Sequence, residues 1–482
     1  MKLKETEIVQ EKIKTLEDLP SPNAIPVFGN AHKTPPKEFN NVLEKWSQEF
    51  GGPYFWKFFS RPVVVFNEAE SVKEIMRDRP GVFRRFSKVK EVFNEMGIHG
   101  IVTAEGAEWR RLRTALAPAF NNRSLESFFP EFCDITERLM FYWKEKCQNG
   151  KAFDITADLK RYSVDITCVH LFNEDLNTID NNDDTFHVSI DIVFSAIYRR
   201  LNTPVPYWKL IKFPQDHRLD KAMKKIEKEI YNLIARARKK LENVDDLSQV
   251  KGLMEKMIVA RAEEGSKRKL SDKEITNNLL LLMLGGEDTS ANALTWMFYF
   301  LSRYPEIQEK VHREVASVLK DENLPRDKNH ILKAFPYLRA VIQETLVLKS
   351  PTPFIILETN EDTVVDNIMV PEKTIVIVMN RLSDMKRYEI DHYDDFNPER
   401  WLDIRDGKYQ LKPNSNHNLA FGYGPRLCIG KSLALIEMVL TAAMMVKNFK
   451  ILPPKDKDFE IKEYFDFLLR PIGLEVKIAP RS

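Results

Sequence analysis

The run LLLLMLGGEDTSANALTWMFYFL, Leu279 to Leu301, sets the tightest limit on what this 482-residue chain folds into. It is apolar nearly all round and long enough to cross a bilayer, yet Glu287 and Asp288 stand at its centre. Carboxylates at mid-membrane are costly, so the run predicts a long helix buried inside a protein body. Two adjacent glycines, Gly285 and Gly286, each cost a helix about 1 kcal/mol and call for a reason. A helix buried on every side needs helical neighbours. The pattern supplies them, because helical periodicity with few glycines dominates from about 108 to 350. Pro305 opens PEIQEKVHREVASVL as a first-turn proline.

Strand signals flank this body. YFWKFFSRPVVVFN reads as two strands joined near Ser60–Pro62, with Asn67 as cap of the next helix. PFIILETNEDTVVDNIMVPEKTIVIVMN reads as a second strand region, with Asp366-Asn367 at a tight hairpin turn. The β-rich parts are thus about 53–66 and 353–380. LPSPNAIPVFGN, Leu19 to Asn30, has the prolines of an extended arm. The expected organisation is an arm over 1–30 and one mainly α domain with a smaller β-sheet region (α+β) over 31–482.

Composition excludes several classes. Lys+Arg of 73 against Asp+Glu of 71 leaves a net charge of +2, so nothing points to nucleic acid. Four cysteines without C-x-x-C spacing or a histidine cluster argue against zinc or a disulfide framework and fit a reducing compartment. The charged N-terminus has no apolar signal-peptide core. The chain reads as cytoplasmic, with no transmembrane segment and nothing that demands more than a monomer.

One cysteine stands apart. FGYGPRLCIG, Phe421 to Gly430, precedes the helical run KSLALIEMVLTAAMMVKNF. Cys428 therefore sits before a helix whose free N–H groups stabilise a thiolate, a ligand for a soft or borderline metal. The glycines let the backbone approach a flat cofactor, and Arg426 can neutralise a carboxylate on it. A lone cysteine is ordinarily a buried structural one. Five spaced positions, Phe421, Gly424, Arg426, Cys428 and Gly430, weigh against that here.

This loop resembles the haem-binding loop of the cytochrome P-450 family, the haem-thiolate monooxygenases. The resemblance implies that Cys428 is the axial ligand of a haem b iron, and that the fold buries haem between the long central helix and the helix after the cysteine loop. It extends to MLGGEDTSA, Met283 to Ala291, which looks like the family's oxygen-activating stretch. There Gly285 and Gly286 would leave room for O2. Asp288 and Thr289 would relay protons, with Glu287 as a further candidate. In EWRRLRTALAPAF, Trp109 and Arg113 share one helix face and would hold a haem propionate. Arg110, Arg111 and Lys431 would form a basic surface for an acidic redox partner. FNPERW also matches, and its Arg400 would join Glu344 in a buried ion network.

The chain departs from the family at three points. Val347 stands where the Glu-x-x-Arg motif of Glu344 requires arginine, which leaves a two-member network. Leu357 stands where many relatives carry an arginine for a haem propionate. RLSDMKRYEIDHYDD lacks the usual His-Arg-Asp-Pro-like turn. Phe83, Phe86, Phe93, Phe354, Ile355 and Phe467 are expected to wall an apolar pocket for a lipophilic fatty acid, terpenoid or steroid-like substrate. Electrons would come from NAD(P)H through a separate ferredoxin, flavodoxin or reductase. Two other readings of the same fold compete: a peroxide-using peroxygenase or isomerase, and a catalytically impaired haem- or lipid-binding protein.

Overall fold

The computed structural model describes residues 12–481 apart from 182–184, 204, 243–249, 260–269, 321, 323, 324, 326, 327, 414–417 and 454–460. The helices before the central one are α1 (Phe39–Phe50), α2 (Ala69–Arg77), α3 (Ser87–Glu95), α4 (Gly106–Leu116), α5 (Asn122–Ser127), α6 (Phe129–Gln148), α7 (Ile155–Phe172), α8 (Thr185–Asn202), α9 (Pro214–Leu241) and α10 (Leu253–Val259). The central helix is α11 (Asp272–Arg303), and α12 (Pro305–Leu319), α13 (Lys328–Ala334), α14 (Pro336–Leu348), α15 (Asn380–Arg387) and α16 (Lys431–Asn448) follow.

The apolar run at 279–301 lies within α11, which stays helical through Gly285 and Gly286. Ser271 and Glu274 cap its start reciprocally: the Ser271 N–H donates to Glu274 Oε2 at 2.8 Å and the Glu274 N–H to Ser271 Oγ at 3.3 Å. Nearly every residue from Leu279 to Ser302 is buried, so α11 has core on all sides. Helix α7 packs along it. A Cβ on Gly286 would stand 2.6 Å from Thr167 Oγ1, so this glycine is what lets the two helices meet. Among the described residues, no helix is long and apolar enough to cross a membrane.

The larger sheet has the order β1 (Tyr54–Phe58), β2 (Arg61–Phe66), β8 (Ile375–Val378), β5 (Ile355–Thr359), β3 (Phe83–Arg85). β2 and β8 pair parallel with Val63 opposite Ile375, and the other neighbours are antiparallel. Alternate residues enter two cores. Val64, Phe66, Leu357 and Val376 pack with Ile75 and Met76 of α2, while Trp56, Val63, Val65 and Ile377 pack with Leu43 and Trp46 of α1. β4 (Phe153–Asp154) joins a small sheet with β11 (Phe449–Leu452) and β14 (Glu475–Pro480). Three hairpins complete the set: β6 (Thr363–Val365) with β7 (Ile368–Val370), β9 (Leu402–Arg405) with β10 (Lys408–Leu411), and β12 (Lys462–Phe465) with β13 (Leu469–Ile472).

Asp366 and Asn367 turn the β6–β7 hairpin with φ of 53° and 57°, the left-handed pair such a turn needs. Pro305 does begin α12. Asn67 is not a cap: α2 starts after Glu68, and the Asn67 side chain is buried before it without a hydrogen-bond partner. The strands after residue 400 lie outside the expected β regions, and each is only four to six residues long. The arm residues Leu16 and Leu19 pack into the α2 side of the sheet, and Lys14 pairs with Ile368.

Arg381 of α15 ties these parts together. Its guanidinium is 1% exposed and donates to both oxygens of Glu44 at 2.8 and 2.7 Å and to Glu463 at 3.2 Å. Lys349 donates to Glu463 from the other side at 2.7 Å. Arg381→Met strands the buried Glu44 carboxylate and is expected to lower unfolding free energy by about 3–5 kcal/mol. Urea unfolding measures this, and a loss under ~1 kcal/mol rules the hub role out.

Candidate active site

Helix α11, α16 and the loop before α16 enclose a cavity of about 340 Å³ that reaches α4 and the sheet. Cys428, Phe421, Arg426 and Gly430 line it from the loop, Gly285, Gly286 and Thr289 from α11, and Trp109 and Arg113 from α4. The residues singled out for a cofactor thus converge, except Gly424. That glycine holds the loop against α2: its φ is 68°, and a Cβ there would lie 2.7 Å from the Met76 carbonyl.

Cys428 opens onto this cavity. Its N–H donates to the Phe421 carbonyl at 2.9 Å, which closes the loop on itself. Burial pushes the thiol pKa up, while the backbone N–H groups of Gly430 and Lys431 and the charges of Arg113 and Lys431 pull it down. Those two N–H groups stand at the start of α16 and are directed at the thiol. A bound cation would complete the compensation, so a thiolate here could serve as a metal ligand.

The two glycines of α11 differ. A Cβ on Gly285 would meet nothing within 4 Å, so its place is open cavity, whereas Gly286 serves helix packing as well. Thr289 Oγ1 donates to the Gly285 carbonyl at 2.7 Å and faces the cavity. Asp288 and Glu287 are buried but are not on the cavity wall. Asp288 is ion-paired to Lys160 of α7 at 2.7 Å, and Lys160 also reaches Asp191 at 3.1 Å.

Positive charge gathers at one end of the cavity. Arg426 lies over the Trp109 ring, 4.4 Å from its centroid, and pairs with Glu105. Arg79 and Arg85, neither of them anticipated, line the same cavity. Burial and the charges of Arg85 and Arg426 hold the Arg79 pKa down to about 9. Burial holds Arg426 down to about 10 against the pull of Glu105. The Nε atoms of Arg79, Arg85 and Arg426 and Nη2 of Arg79 are buried without hydrogen-bond partners. A group carrying a metal for Cys428 and carboxylates for these guanidiniums fits this donor set, and haem is such a group. The unpaired nitrogens are the test it passes.

Glu437 of α16 was also missed. It lines the cavity, accepts from Ser163 at 2.5 Å and hydrogen-bonds with Ser290, and burial raises its pKa to about 7. Its one signal in sequence is a lone acid in an otherwise apolar helix. Of the six expected pocket residues, Ile355 alone lines the cavity. Phe83 is in the α2 side of the sheet core and Phe354 in the α1 side, where it packs on Phe39 and Phe465. Phe93 is core, Phe86 lies under the Arg61 guanidinium, and Phe467 packs on Phe194. Aromatic bulk filled structural gaps at these positions. In the basic trio, Arg111 is paired with Glu274 of α11, and Lys431 lies over the Phe421 ring.

Glu344 of α14 is fully buried and takes four contacts. Arg400 Nε lies 3.0 and 3.1 Å from its two oxygens, the Asn397 N–H donates at 2.8 Å and Trp401 Nε1 at 2.6 Å. Beside Arg400, two neutral donors thus serve this carboxylate. Even so, burial raises the Glu344 pKa from 4.5 to about 7. The folded protein therefore keeps a proton there that the unfolded chain has released, and stability falls as pH rises from about 4.5 through 7. Val347→Arg, one turn on, is expected to relieve this. Its gain in unfolding free energy over the parent should be about 1–3 kcal/mol larger at pH 8 than at pH 5 in denaturant titrations. Equal gains at both pH values exclude an electrostatic role.

Comparison with known proteins places these features. The family description "Cytochrome P450" matches residues 19–478. Cytochrome P450 3A16 of Mus musculus is 25% identical over 97% of this chain and 92% of its own length. The self-sufficient cytochrome P450 monooxygenase CYP505E3 of Phanerodontia chrysosporium is 26% identical over 96% of this chain, which spans 43% of that protein. The bifunctional cytochrome P450/NADPH–P450 reductase of Gibberella moniliformis is 23% identical over 97% of this chain and 41% of that protein. The crystal structure of a cytochrome P450 (CYP102L1) superposes with a TM-score of 0.80 at 23% identity, over 96% of this chain and 99% of that one. With the family match spanning nearly its whole length, the chain belongs to the cytochrome P450 family of haem-thiolate monooxygenase oxidoreductases.

Proposed function

We propose that the protein inserts one oxygen atom of O2 into a lipophilic substrate at the cavity shared by Cys428, Gly285 and Thr289, with electrons from NAD(P)H reaching it through a ferredoxin, flavodoxin or flavin reductase. That shared cavity is the observation on which the reading rests. Haem, when bound, supplies the iron that takes up O2 and splits it.

The residues divide the remaining work. Cys428 offers its thiolate from the start of α16, and Trp109, Arg113 and Arg426 hold carboxylates. Gly285 leaves space above the cavity floor. Thr289, now bonded to the Gly285 carbonyl, turns its hydroxyl inward to pass a proton. Asp288 is the acid behind it, ion-paired to Lys160 at 2.7 Å. Glu437, near neutrality beside Ser290, is a second proton store on the wall. Ile101, Val102, Leu281, Leu282 and Ile355 give the cavity an apolar lining, which favours a fatty acid, terpenoid or steroid-like molecule.

The absorption spectrum of the reduced protein with carbon monoxide tests the ligand. A Soret band at long wavelength is expected for the parent, and its loss in Cys428→Ser. A parent band at the shorter wavelength of a neutral or lost thiolate overturns the reading. Thr289→Ala is expected to keep the parent spectrum while product per O2 consumed falls several-fold and peroxide is released. Unchanged coupling removes Thr289 from proton delivery, and turnover with peroxide but not with O2 and reductant favours a peroxygenase.

A further inference from the structure

The family's propionate arginine is missing at Leu357, yet the cavity is rich in guanidinium groups, and the sheet explains where one comes from. Leu357 on β5 is the register partner of Arg85 on β3. Directly opposite residues of an antiparallel pair place their side chains on the same face, about 5 Å apart at Cβ. Two residues along β5, on that same face, Ile355 lines the cavity. A guanidinium at 85 therefore enters the space that one at 357 would have used. Its neighbour Arg84 points the other way and pairs with Glu358 at 3.3 Å.

Arg79 comes to the same wall from the turn after α2. It is 4% exposed; its Nη1 lies 3.8 Å from Met76 Sδ, and its Nε and Nη2 are buried without hydrogen-bond partners. Arg79, Arg85, Arg113 and Arg426 all line the cavity, and Glu105 is the carboxylate beside them. Glu105 is already engaged, by Arg426 and by the Arg85 N–H at 2.9 Å. Four cations facing one committed anion at this end of the cavity leave positive charge in excess and call for further negative charges. A porphyrin dicarboxylate brings two.

We infer that Arg85, supported by Arg79, replaces the arginine absent at 357 as an anchor for the haem carboxylates, so that the charge has moved from one strand to its neighbour. The inference rests on the haem reading above.

The test compares haem with its dimethyl ester, in which both carboxylates are blocked. Holoprotein is mixed with excess apomyoglobin, and the rate of haem transfer is read by absorbance. Arg85→Leu is expected to lose haem at least about ten-fold faster than the parent, the worth of a charge-assisted bond. With the dimethyl ester the two proteins should lose the porphyrin alike. Adding Leu357→Arg to Arg85→Leu should restore most of the retention. Arg79→Met should show the same dependence on free carboxylates, and serves where Arg85→Leu does not fold. Equal haem loss from parent and variants overturns the inference alone, as does faster loss that is just as large with the ester, which would be a packing effect. A parent that takes up no haem overturns the haem reading and this inference together.

Discussion

Everything in this protein accommodates one helix that has no solvent face. Over most of its length α11 is surrounded by other elements, so the polar groups it buries depend on neighbours for their partners. Lys160 of α7 comes to Asp288, the Ile101 N–H donates to Asn278 Oδ1 at 2.8 Å, and Glu437 of α16 meets Ser290. Those contacts fix α7, the stretch before α4, and α16 relative to α11. At the cavity this enclosure is relaxed, at Gly285 and Thr289. Its opening is thus a local exception inside a packed body, and it faces the terminus of the helix that carries Cys428.

The sheet does a second job. It supports the cysteine loop from beneath through α2, which lies so close to the loop that Gly424 has no room for a Cβ. The same α2 buries Ile75 and Met76 against the sheet. The thiol position is therefore set by a stack of three layers: sheet, α2, loop. Arg381 and Glu344, each buried and each holding elements distant in sequence, brace that stack from the α1 and α14 sides.

Much of this was legible in the sequence where a residue type has a single physical use. The acids in α11, the first-turn Pro305, the left-handed Asp366-Asn367 pair and the glycine–cysteine loop each have narrow meanings, and the family match confirms the fold they imply. Aromatic residues have no such restriction. Phe83, Phe93 and Phe354 fill core as readily as they would line a pocket, and periodicity cannot separate the two. Arg79, Arg85 and Glu437 were hidden for another reason. Their meaning depends on which elements stand opposite them, and a cross-strand partner is invisible along a single chain. The Trp401 and Asn397 donors to Glu344 were likewise contributed by a tertiary neighbour.

The register that sets Arg85 opposite Leu357 also dictates when the cavity can exist. β3 is synthesised early and its partner β5 follows much later, and β2 waits longer still for β8. The helix start that presents Cys428 is by contrast formed from adjacent residues. The cationic end of the cavity is thus a product of long-range strand pairing, and the thiol end of a local turn that is seated on the distant α2. A growing chain makes Arg79 and Arg85 early, and they share no site with Cys428 until the loop that carries it is seated on α2.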